Sequence, residues 1–468
     1  MSDWRDAVLA GVDPLPSDGD AVRLGHGRIG RADVVVAAWD FTIRGGSFGV
    51  RDAGAFVAAC AEATATRRPL VSLLRSGGTR LQEGMQALVG IPRALLALEE
   101  MAAAGVPHLA VADQPTTGGV WVAIGSVADI RVGVAHATVG FSGPRVIEAM
   151  TGVAVPRGTN TAETALAAGL LDAVVPPEGV ATWVERTLVT LRPDEPRPVE
   201  PPPPVAVPDR SGWEQVQQSR EADRPAGATL LATLLAGDEY DDDESTELGP
   251  VDLRGADDTV AAALGRVGGH RVVLVALAAR RAGRVGPAGF RLLERAAGLA
   301  GRLDAGLVVL VDCHGADPLP LSEQAGVAPA IAAAMAATLH CRAPSIAVVH
   351  GEGGSGGALA GAVTDVVAVT ELGWFAALGP EGAAATLRTE PAAAADLMGV
   401  APRDLLANGF ADALAPADAG ALRPWLAGRL EELRARPAEE RLAGRRSRWA
   451  GPLPPTTPSG PSDAPDIA

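Results

Sequence analysis

The sequence predicts an α/β protein made of two similar domains in tandem, each organised on a strand, a glycine loop and a helix. Three observations lead there. Gly351-Glu352-Gly353-Gly354-Ser355-Gly356-Gly357-Ala358-Leu359-Ala360 follows the apolar run Pro344–Val349 and precedes small residues that can start a helix. Pro115-Thr116-Thr117-Gly118-Gly119 follows a similar run, Pro107–Ala112, and its Gly118 lies 236 positions before Gly354. The offset then persists. Asp129–Val134 aligns with Asp365–Thr370 and Gly143-Pro144 with Gly379-Pro380 at 236, Leu73–Gly78 with Leu310–Gly315 at 237, and Gly169–Asp172 with Gly409–Asp412 at 240. Bare backbone N–H groups between a strand and a helix suit a negative oxygen, because the dipoles are fixed and no side chain blocks approach. A lone glycine cluster reads equally as a tight turn with close helix packing; two at a constant spacing weigh toward a shared purpose.

The elements follow in order. Residues 1–24 read as a loosely ordered lead-in, and 25–191 as the first domain. In it, Asp33–Phe41 is a strand, Gly45–Gly49 a turn, Asp52–Thr66 a helix, and Pro69–Leu74 a strand ended by Ser76–Arg80. Helical periodicity of Met85, Leu88, Val89, Ile91, Leu95, Leu96 and Leu98 predicts one long helix over 82–104. Strand, loop, helix and strand then repeat through Val134, as in crossover units on a buried sheet. Residues 192–250 read as a linker: Pro201–Pro204 lie in a polyproline stretch, Trp213–Gly237 is a helical pair, and Asp238–Glu244 is a solvated acidic loop. The second domain is placed at 251–420, with strands at Val272–Ala278, Gly306–Val311, Pro344–Val349 and Asp365–Thr370. A surface helix is expected within 421–450, and residues 451–468 are a tail expected to be disordered.

Composition narrows the chemistry. A net charge of −16 argues against a nucleic-acid surface. No run of 18 or more apolar residues points to a membrane, and Met1–Asp6 lacks the start of a signal peptide, so a cytoplasmic location is expected. Cys60, Cys313 and Cys341 have neither metal-ligand spacing nor a disulfide framework, and no metal is expected. All 40 basic residues are arginine, so this sequence offers no Schiff-base, phosphate-loop or biotinylated lysine. Two anion-stabilising loops suit a reaction that develops two oxyanions, such as carboxyl transfer from carboxybiotin to a thioester α-carbon.

Asp40–Gly49, Ser76–Gly84, Pro115–Val120 and Gly140–Glu148 closely resemble the β subunit of the bacterial acetyl-CoA carboxylase carboxyltransferase. Gly351–Ala360 with Pro380-Glu381-Gly382 resembles its α subunit. The likeness runs over roughly 25–180 and 255–420, in β-then-α order. It implies tandem crotonase-like domains, an acyl-CoA and a carboxybiotin as ligands, and a homodimer or higher oligomer whose sites lie between the N-half of one chain and the C-half of another. Biotin would ride on a separate biotin carboxyl carrier protein charged by a biotin carboxylase. Carried over by position, Gly118 and Gly119 form one oxyanion hole, for the thioester, and Gly356 and Gly357 the other, for biotin. Gly77, Gly78, Gly143, Gly315 and Gly354 line the substrate surfaces. Arg80 and Arg145 either hold CoA phosphates, support the biotin side or brace loops. In the family, biotin itself takes the α-proton, so no protein base is required.

Two departures stand out. The four-cysteine zinc ribbon of many β subunits is missing from this sequence. Around Asp312–Asp317 the family has Thr-Pro-Gly-Ala, so Cys313, His314 and Asp317 are unusual: His314 is a new catalytic group or part of a changed pocket wall. A carboxyltransferase making malonyl-CoA is the leading reading; a malonyl-thioester decarboxylase on the same fold and a silent scaffold subunit are the alternatives.

Overall fold

A computed structural model describes residues 4–156, 158–236 and 250–451. The acidic run Asp238–Glu244 and the segment beyond Gly451 lie outside the described residues. The chain forms two compact units: the first runs to Pro193 and includes the stretch ending at Asp257, and the second takes the chain from Asp194 and again from Asp258.

The first unit carries strands β1 (Val12–Leu15), β2 (Val22–Ile29), β3 (Ala32–Trp39), β4 (Leu70–Ser76), β5 (His108–Thr117), β6 (Ile130–Val134), β7 (Val139–Gly140) and β8 (Ala173–Val175). Its sheet has the order β1-β2-β3-β4-β5-β6-β8, with β7 on the end of β5. The β1–β2 and β2–β3 pairs are antiparallel and the rest parallel. The central strands are mostly apolar and buried, as in a sheet whose faces are covered by helices. Helices Val50–Thr66 and Gly90–Ala103 supply Phe56, Ala59, Ala94 and Met101 to a core shared with Trp39, Phe48, Leu70 and Leu74.

Two expectations for this unit are corrected. The lead-in is ordered: Trp4–Leu9 is a helix, and Val12 pairs with Gly27 and Leu15 with Leu24 at the sheet edge. Gly25, His26, Gly27 and Arg28 break the apolar alternation that would have marked that strand. The single helix over 82–104 is instead two, Gly84–Leu88 and Gly90–Ala103, after a 3₁₀ turn at Leu81–Glu83. Gly84 holds φ +56, which breaks the chain between the 3₁₀ turn and the first helix, and Pro92, with no N–H to donate, falls where the second begins.

A short strand, β9 (Val251–Leu253), precedes the second unit's strands. These are β10 (Val260–Val267), β11 (His270–Leu277), β12 (Gly283–Val285), β13 (Gly306–Ala316), β14 (Ser345–Gly354), β15 (Val366–Thr370), β16 (Trp374–Ala376) and β17 (Ala413–Ala415). They run in the order β17-β15-β14-β13-β11-β10, with β12 on β13 and β16 on β14. Only β10–β11 is antiparallel among these pairs, so the plan of the first sheet recurs.

The duplication extends to one irregularity. Leu74 pairs with Ala112 but Ser76 with Thr116, and Val311 pairs with Val349 but Cys313 with Gly353. In both units the later strand gains two residues at the same place; it stays paired with β4 or β13 and exchanges its other neighbour, β6 or β15, for β7 or β16.

The expected linker is a limb of the second unit. The N–H groups of Glu195 and Arg197 donate to Gly269 and Gly268 carbonyls at 3.1 and 3.2 Å. Helices Gly212–Glu221 and Gly227–Leu235 follow, and Leu230, Leu231, Leu234 and Leu235 enter the core with Leu274 and Leu310. The C-terminal helix is also divided, into Ala419–Arg434 and Ala438–Ala450, because Pro437 cannot continue the first. It is no mere surface helix: Leu422, Leu426 and Leu430 are fully buried.

Asp52 ties the sheet edge to the rest of the first unit. Its buried carboxylate accepts from the N–H groups of Ala21 (2.7 Å), Val22 (3.0 Å) and Gly49 (3.1 Å) and from Arg80 Nη2 (2.6 Å). Asp52→Ala leaves these donors buried and short of an acceptor, and should destabilise the protein by about 3 kcal/mol or more. Urea unfolding checks this; a change within about 0.5 kcal/mol, usual for surface substitutions, would contradict the anchoring role.

Candidate active site

In the first unit, β4 ends in the turn Gly77-Gly78-Thr79, and β5 ends where a short helix begins at Gly118. The two turns nearly touch. A Cβ on Gly118 would lie 2.9 Å from Gly78 Cα, and Gly118 and Gly78 hold φ +64 and +111. Both facts require glycine. Ser76 Oγ accepts the Gly78 N–H at 3.1 Å. The Gly77 N–H donates to Gly45 and the Gly118 N–H to Phe141, both at 3.0 Å. Gly118 was expected as an oxyanion donor, but its N–H is already engaged. The N–H of Gly119 lies in the first turn of the helix, where no intrahelical acceptor exists.

The second unit repeats this with different side chains. Cys313 Sγ takes the place of Ser76 Oγ and accepts the Gly315 N–H at 3.3 Å. Gly315 holds φ +129, and a Cβ there would lie 3.5 Å from the Gly354 carbonyl. Ser355 has φ +63, the counterpart of Gly118. Thr117 pairs with Gly140 as Gly354 pairs with Ala376. The loops therefore correspond at an offset of 237: Gly118 with Ser355, Gly119 with Gly356 and Val120 with Gly357. The sequence alignment of Gly118 with Gly354 is one residue out. The offset returns to 236 by the next strand, where Leu109↔Ile130 matches Ile346↔Val366.

The four glycines expected as hole donors thus have different surroundings. A Cβ on Gly357 would lie 2.6 Å from Ala316 N, so this glycine serves close backbone packing. A Cβ on Gly119 would meet Ile91 Cδ1 at 2.5 Å and Thr79 Oγ1 at 2.9 Å. Only Gly356 faces open space, with no atom within 4 Å of its Cβ position. A carbonyl oxygen can approach the backbone there.

A buried polar chain supports the second loop. His314 Nδ1 lies 2.7 Å from Glu352 Oε2, and Glu352 Oε1 accepts from Arg220 Nε at 3.0 Å. Arg220 also reaches Glu381 at 2.5 Å. The Glu352 N–H donates to Asp312 Oδ1 at 2.9 Å, and Arg224 forms a two-pronged pair with the same carboxylate. Burial raises the Asp312 pKa, but the Arg224 bonds outweigh it and hold the carboxyl below its usual range. Buried His350, beside this pair, is pushed down to about 4 by desolvation and is neutral. Arg220 and Arg224 were not anticipated, because they belong to the stretch read as linker. The helix itself was legible from the Ser211–Glu214 capping box, but nothing in the sequence tied it to the loop.

Of the readings left open for Arg80, the structure favours the loop brace over a phosphate or biotin contact. Its side chain is fully buried and bonds Asp20 (2.7 Å), Asp52 (2.6 Å), Glu83 (3.0 Å) and the Ser47 carbonyl (2.7 Å). Arg145 is exposed on the helix Pro144–Thr151. Gly143 caps that helix beside Thr117, and its counterpart Gly379 lies beside the His314 ring. Among the described residues no group of three or more His, Cys, Asp or Glu could hold a metal ion, and no helix is long and apolar enough to cross a membrane.

Comparison with known proteins gives concordant matches. Residues 208–442 match the family model described as acetyl co-enzyme A carboxylase carboxyltransferase-like. A probable biotin-dependent acyl-coenzyme A carboxylase beta3 subunit of Mycobacterium tuberculosis is 35% identical over 96% of this chain and 92% of its own length. The acetyl-coenzyme A carboxylase carboxyl transferase subunits beta/alpha of Parafrankia sp. are 34% identical over 83% of this chain and 69% of theirs. The fold matches the transcarboxylase 12S hexamer core solved with methylmalonyl-coenzyme A, with a TM-score of 0.76 at 22% identity over 92% of this chain and 89% of that one. The two units thus have the crotonase-like fold of carboxyltransferases.

Cys313 offers a check on the second loop. Burial pushes its thiol up to about 12, so the nucleophilic thiolate is nearly absent at pH 8. Native protein treated with a thiol-reactive disulfide at that pH should leave Cys313 unlabelled, and denatured protein should label it stoichiometrically. Peptide mass spectrometry reads both; rapid native labelling would show that Cys313 is not the buried brace described.

Proposed function

We propose a reaction from one premise: the chain belongs to the carboxyltransferase family of biotin-dependent acyl-CoA carboxylases. On that premise it moves a carboxyl group from carboxybiotin, held on a separate carrier protein, to the α-carbon of a short acyl-CoA. Acetyl-CoA, giving malonyl-CoA, is the substrate we favour. The biotin carboxyl carrier protein and a biotin carboxylase are the implied partners.

One observation carries the reading: two loops of the same backbone design, each ending a buried strand beside a second turn. Carboxybiotin, when bound, supplies the carboxyl group. The chain contributes fixed N–H donors, Gly119 for the thioester and Gly356 for biotin, in a place where charge develops. The open face at Gly356 is room that a Cβ would fill, as a carbonyl ligand requires. The unusual 313–317 loop keeps the backbone turn of its counterpart, which supports activity over a silent scaffold.

Each loop is flanked by exposed apolar side chains: Leu81, Met85 and Phe141 in the first unit, and Leu319, Leu321 and Leu378 in the second. Exposed apolar surface of this kind marks interaction sites, and we assign it to a homodimer or higher oligomer. Analytical ultracentrifugation at micromolar concentration should show no monomer; an active monomer would refute the assignment.

The reaction is tested with carboxybiotin-loaded carrier and a panel of acyl-CoAs, with products read by mass spectrometry. A carboxylated short acyl-CoA is expected, and its absence with every acyl-CoA would overturn the reading. Gly356→Val should lower transfer by about 10²–10³-fold, typical for loss of one oxyanion donor, with little change in Tm because its Cβ position is open. Near-native transfer by that variant would remove Gly356 from the site.

A further inference from the structure

The two loops share a backbone but not the residue ahead of the second glycine. The first unit has Gly77 there, and the second has His314. Only the second loop therefore carries a polar side chain at this place. Glu352, 2% exposed, accepts from His314 Nδ1 and is itself bonded by Arg220. With the Glu352 carboxylate as acceptor, the neutral imidazole carries its ring proton on Nδ1 and its lone pair on Nε2. The His314 side chain is 29% exposed, and Nε2 lies 3.6 Å from the Cβ position of Gly379. The other charged group on that side, Glu381, has both carboxylate oxygens on Arg220.

We propose that His314 is the specificity-determining residue of the second loop: its Nε2 accepts the free ring N–H of a cyclic urea whose carbonyl lies on the loop backbone. The inference rests on the reading of this loop as the biotin side. The chemistry separates the two ligands. A thioester carbonyl is flanked by sulfur and a CH group and asks only for donors. The carbonyl of a singly carboxylated cyclic urea is flanked by an N–H, which is left unpaired in a closed site unless an acceptor stands beside it. The first loop presents backbone donors, glycine at 77 and the Thr79 hydroxyl beside Gly119, with no ring acceptor. The second presents backbone donors and a pinned imidazole acceptor. Fixing the ring through a buried carboxylate also removes its rotational freedom before the ligand arrives, as a second layer of hydrogen bonds does for other site histidines.

The test uses the full chain and two readouts. His314→Phe keeps the ring's bulk and removes both nitrogens, while His314→Gln restores an acceptor. The first readout is binding of biotin methyl ester by saturation-transfer NMR, with the same compound methylated on both ring nitrogens as control. Wild-type protein should prefer the unmethylated ester by tenfold or more. His314→Phe should lose that preference and His314→Gln recover part of it. The second readout is steady-state transfer. His314→Phe should raise KM for the carboxybiotin carrier by tenfold or more and leave KM for acyl-CoA within twofold. Unchanged ester binding in His314→Phe, or an equal rise in both KM values, would overturn the assignment. Should wild-type protein move no carboxyl group at all, the reaction reading fails, whereas the ester preference still decides the role of His314. A His314→Phe variant that transfers like wild type defeats this inference alone.

Discussion

The near contact of two strand ends is the constraint on which the rest depends. For the turn after β4 to reach the start of the helix after β5, the backbone must pass within van der Waals distance, and both partners must adopt conformations closed to most side chains. The two-residue slip in register accompanies that approach: beyond it the end of β5 or β14 keeps its pairing with β4 or β13 while its other side passes to β7 or β16. Glycine at 78, 118 and 315 is then a steric demand before it is a chemical one. The exposed N–H groups are what remains when close approach has excluded side chains, and a site for a negative oxygen follows at little further expense.

Each unit stabilises its turn with buried charge, by different means. The first uses Arg80, ringed by Asp20, Asp52 and Glu83, to hold the sheet edge, the helix Val50–Thr66 and the Ser47 turn together. The second uses Arg220 and Arg224 against Glu352 and Asp312. A buried carboxylate without its partner is strongly destabilising, on the order of 3–5 kcal/mol. Glu352 and Asp312 therefore require the helix Gly212–Glu221 to be docked, and the segment before the second sheet becomes part of that unit. The proline run does not work against this. Its neighbours make backbone bonds at Gly268 and Gly269, and the helices behind it bring their own apolar faces.

How much of this was legible follows from the range of each signal. The tandem plan, the strands flanking each loop and the helix Val50–Thr66 rest on local periodicity and on repetition, and the sequence displays both. Val22–Ile29 and Val260–Val267, each next to last in its sheet, escaped notice because the first carries glycine and charge in place of alternation and the second has three alanines after Val260 that favour no strand. The loop correspondence was off by one residue because several glycines in a row align almost equally well in two registers; only φ at Gly118 and Ser355 and the pairing with β7 and β16 decide it. The role of Arg80 is open in the sequence between ligand contact and loop brace because an arginine after a glycine turn does not announce its acids, which lie 60, 28 and 3 residues away in sequence. Arg220 and Arg224 bond acids 132 and 88 residues on, beyond any motif.

The altered segment at 313–317 shows which features the fold holds fixed and which it releases. A thiol replaces a hydroxyl at Cys313, yet it still accepts the N–H two residues on, so the turn at Gly315 keeps the shape of the turn at Gly78. With the backbone held by that bond and by glycine, the residue between them is free to change. In the first unit it is Gly77, whose N–H simply closes onto Gly45. In the second it is His314, whose ring is bonded to a carboxylate already buried and already neutralised by Arg220. A side chain could be added there without disturbing the donors, because position 314 enters the close approach through its backbone carbonyl, which a Cβ on Gly354 would meet, and not through its side chain. The duplicated loops thus differ at 77 and 314 in a side chain that the shared turn does not use, and it is there that we place the discrimination between the two carbonyl ligands.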